Sequence, residues 1–198
     1  MSKTVDYYVS LASPYTYMGG TRLPDIAART GAKFVVKPIK AGPLFEATGG
    51  LPLPKRHPAR RAYRLVELQR WRDHWGLAMN IEPAFFPVDD SQAGRMVIAA
   101  RQAGADALAL SNVFLACVWE REANIADASV LQAAADAAGF DGAALAAQAG
   151  SAEVEAEYDA NTETAIELQV FGVPWFICDG VPYWGQDRID FLERALAG

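Results

Sequence analysis

Phe171-Gly172-Val173-Pro174-Trp175-Phe176-Ile177-Cys178-Asp179-Gly180-Val181-Pro182-Tyr183-Trp184 is the stretch from which the fold is read. Trp175–Cys178 and Val181–Trp184 are short runs rich in β-branched and aromatic residues. They flank Asp179-Gly180, a dipeptide suited to the positive-φ positions of a tight turn, so the stretch predicts a two-stranded hairpin. Pro174 stands just ahead of it, where an X-Pro peptide can be cis at little cost. Beyond Trp184 a helix begins near Asp187, with Ile189, Phe191, Leu192 and Leu196 on its apolar side. The carboxyl end therefore reads as strand, strand, helix.

Working outward, the amino end supplies the complement. Residues 4–10 (Thr-Val-Asp-Tyr-Tyr-Val-Ser) form a strand; Ser13-Pro14 then opens a helix, serine as cap and proline in the first turn. That helix is expected to run to Thr30 and stop at Gly31, and Phe34–Ile39 makes a second strand. This βαβ unit requires a parallel pair with a right-handed crossover. Between the two ends, residues 58–75 carry one apolar stripe (Ala62, Leu65, Val66, Leu68, Trp71, Trp75). Pro83 and Pro87 mark an irregular connection, and helices follow at about 89–103, 105–122, 127–138, 141–149 and 151–169. The order βαβ, helical block, ββα is a thioredoxin-like α/β arrangement interrupted by a large all-helical insertion. It divides the chain into residues 1–41 with 170–198, and an insertion over 42–169.

Composition narrows the function. The chain of 198 residues is 52% hydrophobic, enough to bury a full core, and its net charge of −6 argues against nucleic acid as a partner. No run approaches the roughly 20 apolar residues needed to span a bilayer, and the start lacks a secretory pattern; the expectation is a cytoplasmic protein. Seven of the 18 basic residues fall between Lys55 and Arg72, and none between Arg121 and Arg188. That stretch is either a solvated helix face or a place for small anions. Cys117 and Cys178 are far apart in sequence and outside any Cys-x-x-Cys pair, which argues against a disulfide framework and against dithiol chemistry, and both read as buried thiols.

Three motifs carry the chemistry. Ser13-Pro14-Tyr15-Thr16 occupies the strand-to-helix turn where dithiol oxidoreductases of this fold place Cys-x-x-Cys. A helix start stabilises a thiolate there, and a serine can donate a hydrogen bond to a thiolate brought by another molecule. Taken alone, Ser13 reads as a plain cap; it is the motifs beside it that turn the reading to chemistry. Val173-Pro174 would set an extended backbone edge opposite that turn, with Val173 free to pair with a peptide. Trp184-Gly185-Gln186-Asp187-Arg188 opens the last helix, where N–H groups and side chains could hold an amino-acid head group.

Taken with Glu67-Leu68-Gln69-Arg70-Trp71, these motifs resemble the 2-hydroxychromene-2-carboxylate isomerases, relatives of the kappa-class glutathione transferases, over essentially the whole chain. The resemblance implies that glutathione is the cofactor, its thiol on Ser13, the catalytic residue. Its cysteinyl backbone would lie on Val173 beside cis-Pro174, and its γ-glutamyl end at Trp184, Gly185, Gln186 and Asp187. Arg60 would face the glycyl carboxylate, and Lys55 and Phe86 would meet the second substrate, a small aromatic carboxylate. It implies further a homodimer, with no metal and no membrane partner. Gly50-Leu51-Pro52 and Trp175 depart from the family pattern in the cleft. Two rivals stand beside the isomerase: a transferase or peroxidase acting on other electrophiles, and a non-enzymatic peptide or disulfide-handling binder.

Overall fold

The computed structural model describes residues 2–198. Strand β1 (Thr4–Val9) is followed by helices α1 (Pro14–Gly20) and α2 (Leu23–Thr30), strand β2 (Lys33–Pro38) and helix α3 (Ala41–Thr48). A 3-10 turn (Leu53–Lys55) precedes α4 (Pro58–Trp75), α5 (Ser91–Gln102), α6 (Ala107–Trp119), α7 (Ala128–Ala137), α8 (Gly142–Gln148) and α9 (Ala152–Glu167). Strands β3 (Trp175–Cys178) and β4 (Val181–Trp184), a second 3-10 turn (Gln186–Arg188) and α10 (Ile189–Ala197) complete the chain.

The four strands form one sheet in the order β2-β1-β3-β4. β1 pairs with β2 in parallel, and β3 runs antiparallel to both β1 and β4. The Asp179-Gly180 turn has φ of 51° and 78°, the positive values that its composition suggested. β4 is an outer strand and carries Pro182 opposite Ile177.

Side chains alternate across β1, and the two faces are buried differently. Val5, Tyr7 and Val9 enter the main core, which also contains Phe114, Leu115 and Trp119 of α6, Phe176 of β3 and Leu192 of α10. Tyr7 stacks on Phe176, its partner in register, with ring centroids 4.8 Å apart. Tyr8, on the opposite face, joins Ile39, Leu44, Ala165, Val170 and Trp175. Burying each large apolar side chain contributes roughly 1.5–3 kcal/mol. The helical block and the sheet thus share one continuous core.

One expected helix is corrected and two further elements are defined. The helix expected from Ser13 to Thr30 is two helices that meet at Thr21-Arg22. Pro24 explains the break: its ring would collide with the carbonyl of Gly20 in a continuous helix and it has no N–H to bond there. The freed Gly20 carbonyl accepts from Asn112 Nδ2 at 3.0 Å instead. Helix α3 was not foreseen; it buries one apolar side chain, Leu44, and so shows no periodic stripe. The final helix, expected near Asp187, opens with a 3-10 turn over Gln186–Arg188 and becomes α-helical at Ile189.

Candidate active site

The topology brings the first and last motifs together. β1 ends at Val9 and its loop leads to Ser13; Tyr8 pairs with Trp175, so Pro174 lies beside the same end of β1. Trp175 in turn pairs with Trp184, which puts Gly185 next to Pro174, and Gly185 N–H donates to the Pro174 carbonyl at 2.9 Å. The Val173-Pro174 peptide is cis. A Cβ added at Gly19, on α1, would lie 3.1 Å from Ile189, 3.4 Å from Gln186 and 3.6 Å from Pro174. Glycine there lets α1 press against the proline loop and the 3-10 turn.

Ser13 caps α1: its Oγ accepts from the Thr16 N–H at 3.2 Å. Because the oxygen is the acceptor in that bond, the hydroxyl proton remains free to be donated elsewhere. Thr16, at the second position of the motif, is fully buried. Helix α1 is held by Tyr17, whose hydroxyl donates to Glu120 at 2.8 Å, and by the Asn112 bond to Gly20.

Of the residues expected to line the site, Val173 lies outside the strands, and among the described residues neither its N–H nor its C=O carries an intramolecular hydrogen bond. Trp184 is half exposed, packed edge-on against Phe171 at 4.6 Å. Gly185 has φ of 94°, and a Cβ there would lie 2.6 Å from the Asp187 carboxylate. Asp187 pairs with its neighbour Arg188 at 2.7 Å. Gln186 is 3% exposed, and its Oε1 has no partner. Phe86 is half-buried, with its ring 4.9 Å from Trp119. Lys55 and Arg60 are exposed, at the 3-10 turn and the first turn of α4.

Three further residues belong to this region. Tyr15, in α1, is partly buried, and burial pushes its hydroxyl up; Arg64, Glu67, Arg56 and Asp187 all act on it through their charge. Arg64 projects from α4 over the Phe86 ring, 5.1 Å from its centroid. Asp90 accepts from Ser10 Oγ at 2.6 Å and from Ala12 N–H at 3.1 Å, tying down the loop that delivers Ser13. Arg64 had a signal in the sequence: it stands four, seven and eleven residues before Leu68, Trp71 and Trp75, a charge on the core-facing stripe. Asp90 had none, since its partners lie 78 and 80 residues away.

Cys117 and Cys178 are buried, and burial pushes both thiols up, away from the reactive thiolate. No cluster of His, Cys, Asp or Glu suited to a metal ion occurs among the described residues, and no helix there is long and apolar enough to cross a membrane. Fold and site together define a thioredoxin-like protein in which Ser13 caps the first helix and a cis-proline loop lies at the same end of the sheet.

Comparison with known proteins agrees with that class and refines it. Residues 4–197 match the DsbA-like thioredoxin domain family. The 2-hydroxychromene-2-carboxylate isomerase of Sphingobium xenophagum is 29% identical over 99% of both chains. Its Pseudomonas putida counterpart is 31% identical over 97% of this chain and 93% of its own. A solved 2-hydroxychromene-2-carboxylate isomerase superposes with a TM-score of 0.82 at 30% identity, covering 98% of this chain and 94% of the other. The chain belongs to the DsbA-like thioredoxin domain family and, within it, to the 2-hydroxychromene-2-carboxylate isomerases.

Proposed function

We propose that this enzyme is a glutathione-dependent isomerase that interconverts 2-hydroxychromene-2-carboxylate and trans-o-hydroxybenzylidenepyruvate. The observation that carries the reading is Ser13: its oxygen is engaged as a cap, its proton is free, and it sits where this superfamily does thiol chemistry. No thiol of the chain is available there, so the sulfur has to come from a second molecule.

Glutathione fits the remaining features. Val173 offers an unused N–H and C=O for its cysteinyl backbone. Gly185 to Asp187 offer a carboxylate and a turn of backbone for its γ-glutamyl end. A free thiol has a pKa near 8.5; lowering it by about two units takes close to 3 kcal/mol. A hydrogen bond from Ser13 to the thiolate, about 1.5–3 kcal/mol, with about 0.3–1 kcal/mol from the helix start, is of that size.

The thiolate adds to the conjugated carbon–carbon double bond of the ring-opened substrate, forming a C–S bond and moving the electron pair onto the keto oxygen as an enolate. The former double bond is now single and rotates. Collapse of the enolate restores the double bond in the trans arrangement and expels the thiolate, so glutathione leaves unchanged. On the same reading the enzyme is cytoplasmic and homodimeric, with Arg60 at the glycyl carboxylate and Lys55 and Phe86 toward the second substrate.

The test is Ser13→Ala, assayed by the absorbance change of isomerisation and by calorimetric titration with glutathione. Turnover should fall at least ~10²-fold while glutathione still binds. Turnover near that of the unmodified enzyme would return Ser13 to the role of a helix cap.

A further inference from the structure

The basic stretch of α4 resolves into residues with different fates. Arg70 pairs with Glu67 at 2.6 Å and Arg72 with Asp73 at 2.8 Å, while Arg56 donates to the Leu51 carbonyl at 2.7 Å. Elsewhere Arg29, Arg95 and Arg188 also hold carboxylates. Arg64 differs. It is mostly withdrawn from water and burial lowers its basicity, yet no carboxylate pairs with it among the described residues. One nitrogen of its guanidinium, Nη2, is fully buried and has no hydrogen-bond partner.

What surrounds Arg64 is aromatic, and among the described residues no carboxylate lies within salt-bridge distance of it. Its guanidinium carbon stands 5.1 Å from the centroid of Phe86, and Phe86 is backed by Trp119 at 4.9 Å. The ionisable groups that act on it are the Tyr15 hydroxyl, Glu82 and Arg56, the last of like charge. Tyr15 is two residues from Ser13. A desolvated guanidinium with unused donors is complementary to an anion, and its planar fork matches a carboxylate.

We propose that Arg64 is the substrate-carboxylate receptor of this site: it binds the 2-oxo acid end of the aromatic electrophile, with Phe86 against the flat conjugated chain. The inference rests on the isomerase reading for the identity of the acid. It assigns the second substrate's charge to Arg64 and not to the exposed Lys55.

The experiment uses the whole enzyme with Arg64→Met, which keeps a long apolar stem on Phe86, and Arg64→Lys, which keeps the charge and loses the fork. Each is titrated calorimetrically with 4-(2-hydroxyphenyl)-2-oxobutanoate, a saturated acid that cannot react, and with glutathione. Each is also assayed with trans-o-hydroxybenzylidenepyruvate and, for glutathione addition, with the neutral enone benzylideneacetone. Arg64→Met should weaken binding of the saturated acid about 30- to 100-fold and lower kcat/KM for the anionic substrate alike. Glutathione affinity and addition to benzylideneacetone should stay within about twofold, and Arg64→Lys should fall between. Equal losses on the acid and the neutral enone, unchanged affinity for the acid, or a loss of glutathione affinity would each overturn the assignment. The saturated acid reports on Arg64 even if the unmodified enzyme fails to isomerise the substrate, an outcome that would sink the isomerase reading instead.

Discussion

Two acidic side chains show how placement decides what a residue does. Asp187 is exposed and paired only with Arg188, and the proposed glutathione site has it exchange that partner for the ammonium of the γ-glutamyl group. Asp187→Ala should raise the glutathione dissociation constant about tenfold or more, since a charged hydrogen bond contributes about 1.5–3 kcal/mol; calorimetry showing equal affinity would remove it from the site. Asp90 is turned inward, and burial pushes its carboxyl above the usual carboxylate range despite bonds from Ser10 and Ala12. The folded protein therefore holds this proton more tightly than the unfolded chain. Asp90's contribution to stability is fully present below its unfolded pKa and is lost as pH rises through the folded value. Asp90→Asn keeps an acceptor for both donors without the charge. Its melting temperature should fall less than that of the unmodified protein between mildly acidic and neutral pH. Parallel melting curves across that range would show that the carboxyl is not held protonated.

At the level of elements, the decisive contact is α1 against α6. Gly20 has no side chain where a Cβ would lie 2.4 Å from the Asn112 oxygen, and Asn112 donates to the Gly20 carbonyl left free by Pro24. Gly20→Ala should push the amide away and break that bond, lowering stability by about 1–3 kcal/mol. For a chain of this size the melting temperature should drop by about 2–12 °C, measurable by calorimetry. An unchanged melting temperature would mean that Asn112 moves aside freely. The sequence carried the signal for this break in Pro24, but the Ser13 cap, Pro14 and Gly31 read together as one uninterrupted helix. Helix α3 was hidden for a related reason: a helix that buries little more than Leu44 leaves no period to detect.

The whole molecule was more legible than its parts, because its order of elements is written in local signals: Ser13-Pro14, Pro174 and Asp179-Gly180. Contacts between distant residues were not legible, and Asp90 with Ser10 is the plainest instance. Arg64 lay between, its place on the apolar stripe visible but its missing counter-ion apparent only once α4 had packed near α1. The two cysteines sit on α6 and β3, buried and apart, so the protein should not reduce insulin disulfides above the uncatalysed rate. Turbidity developing as fast as with a dithiol reductase would contradict this.

Pro182 has a consequence for the life of the protein in a crowded solution. β4 closes the sheet on one side, and Val181 and Trp184 leave about half of their surfaces in water. An outer strand with apolar, half-bare residues is a template on which other chains can stack into aggregates. Proline in its middle carries no hydrogen on nitrogen, so an incoming strand meets an interrupted ladder. Pro182 thus works as a gatekeeper on the outer strand, interrupting the margin that ends at Trp184 and Gly185.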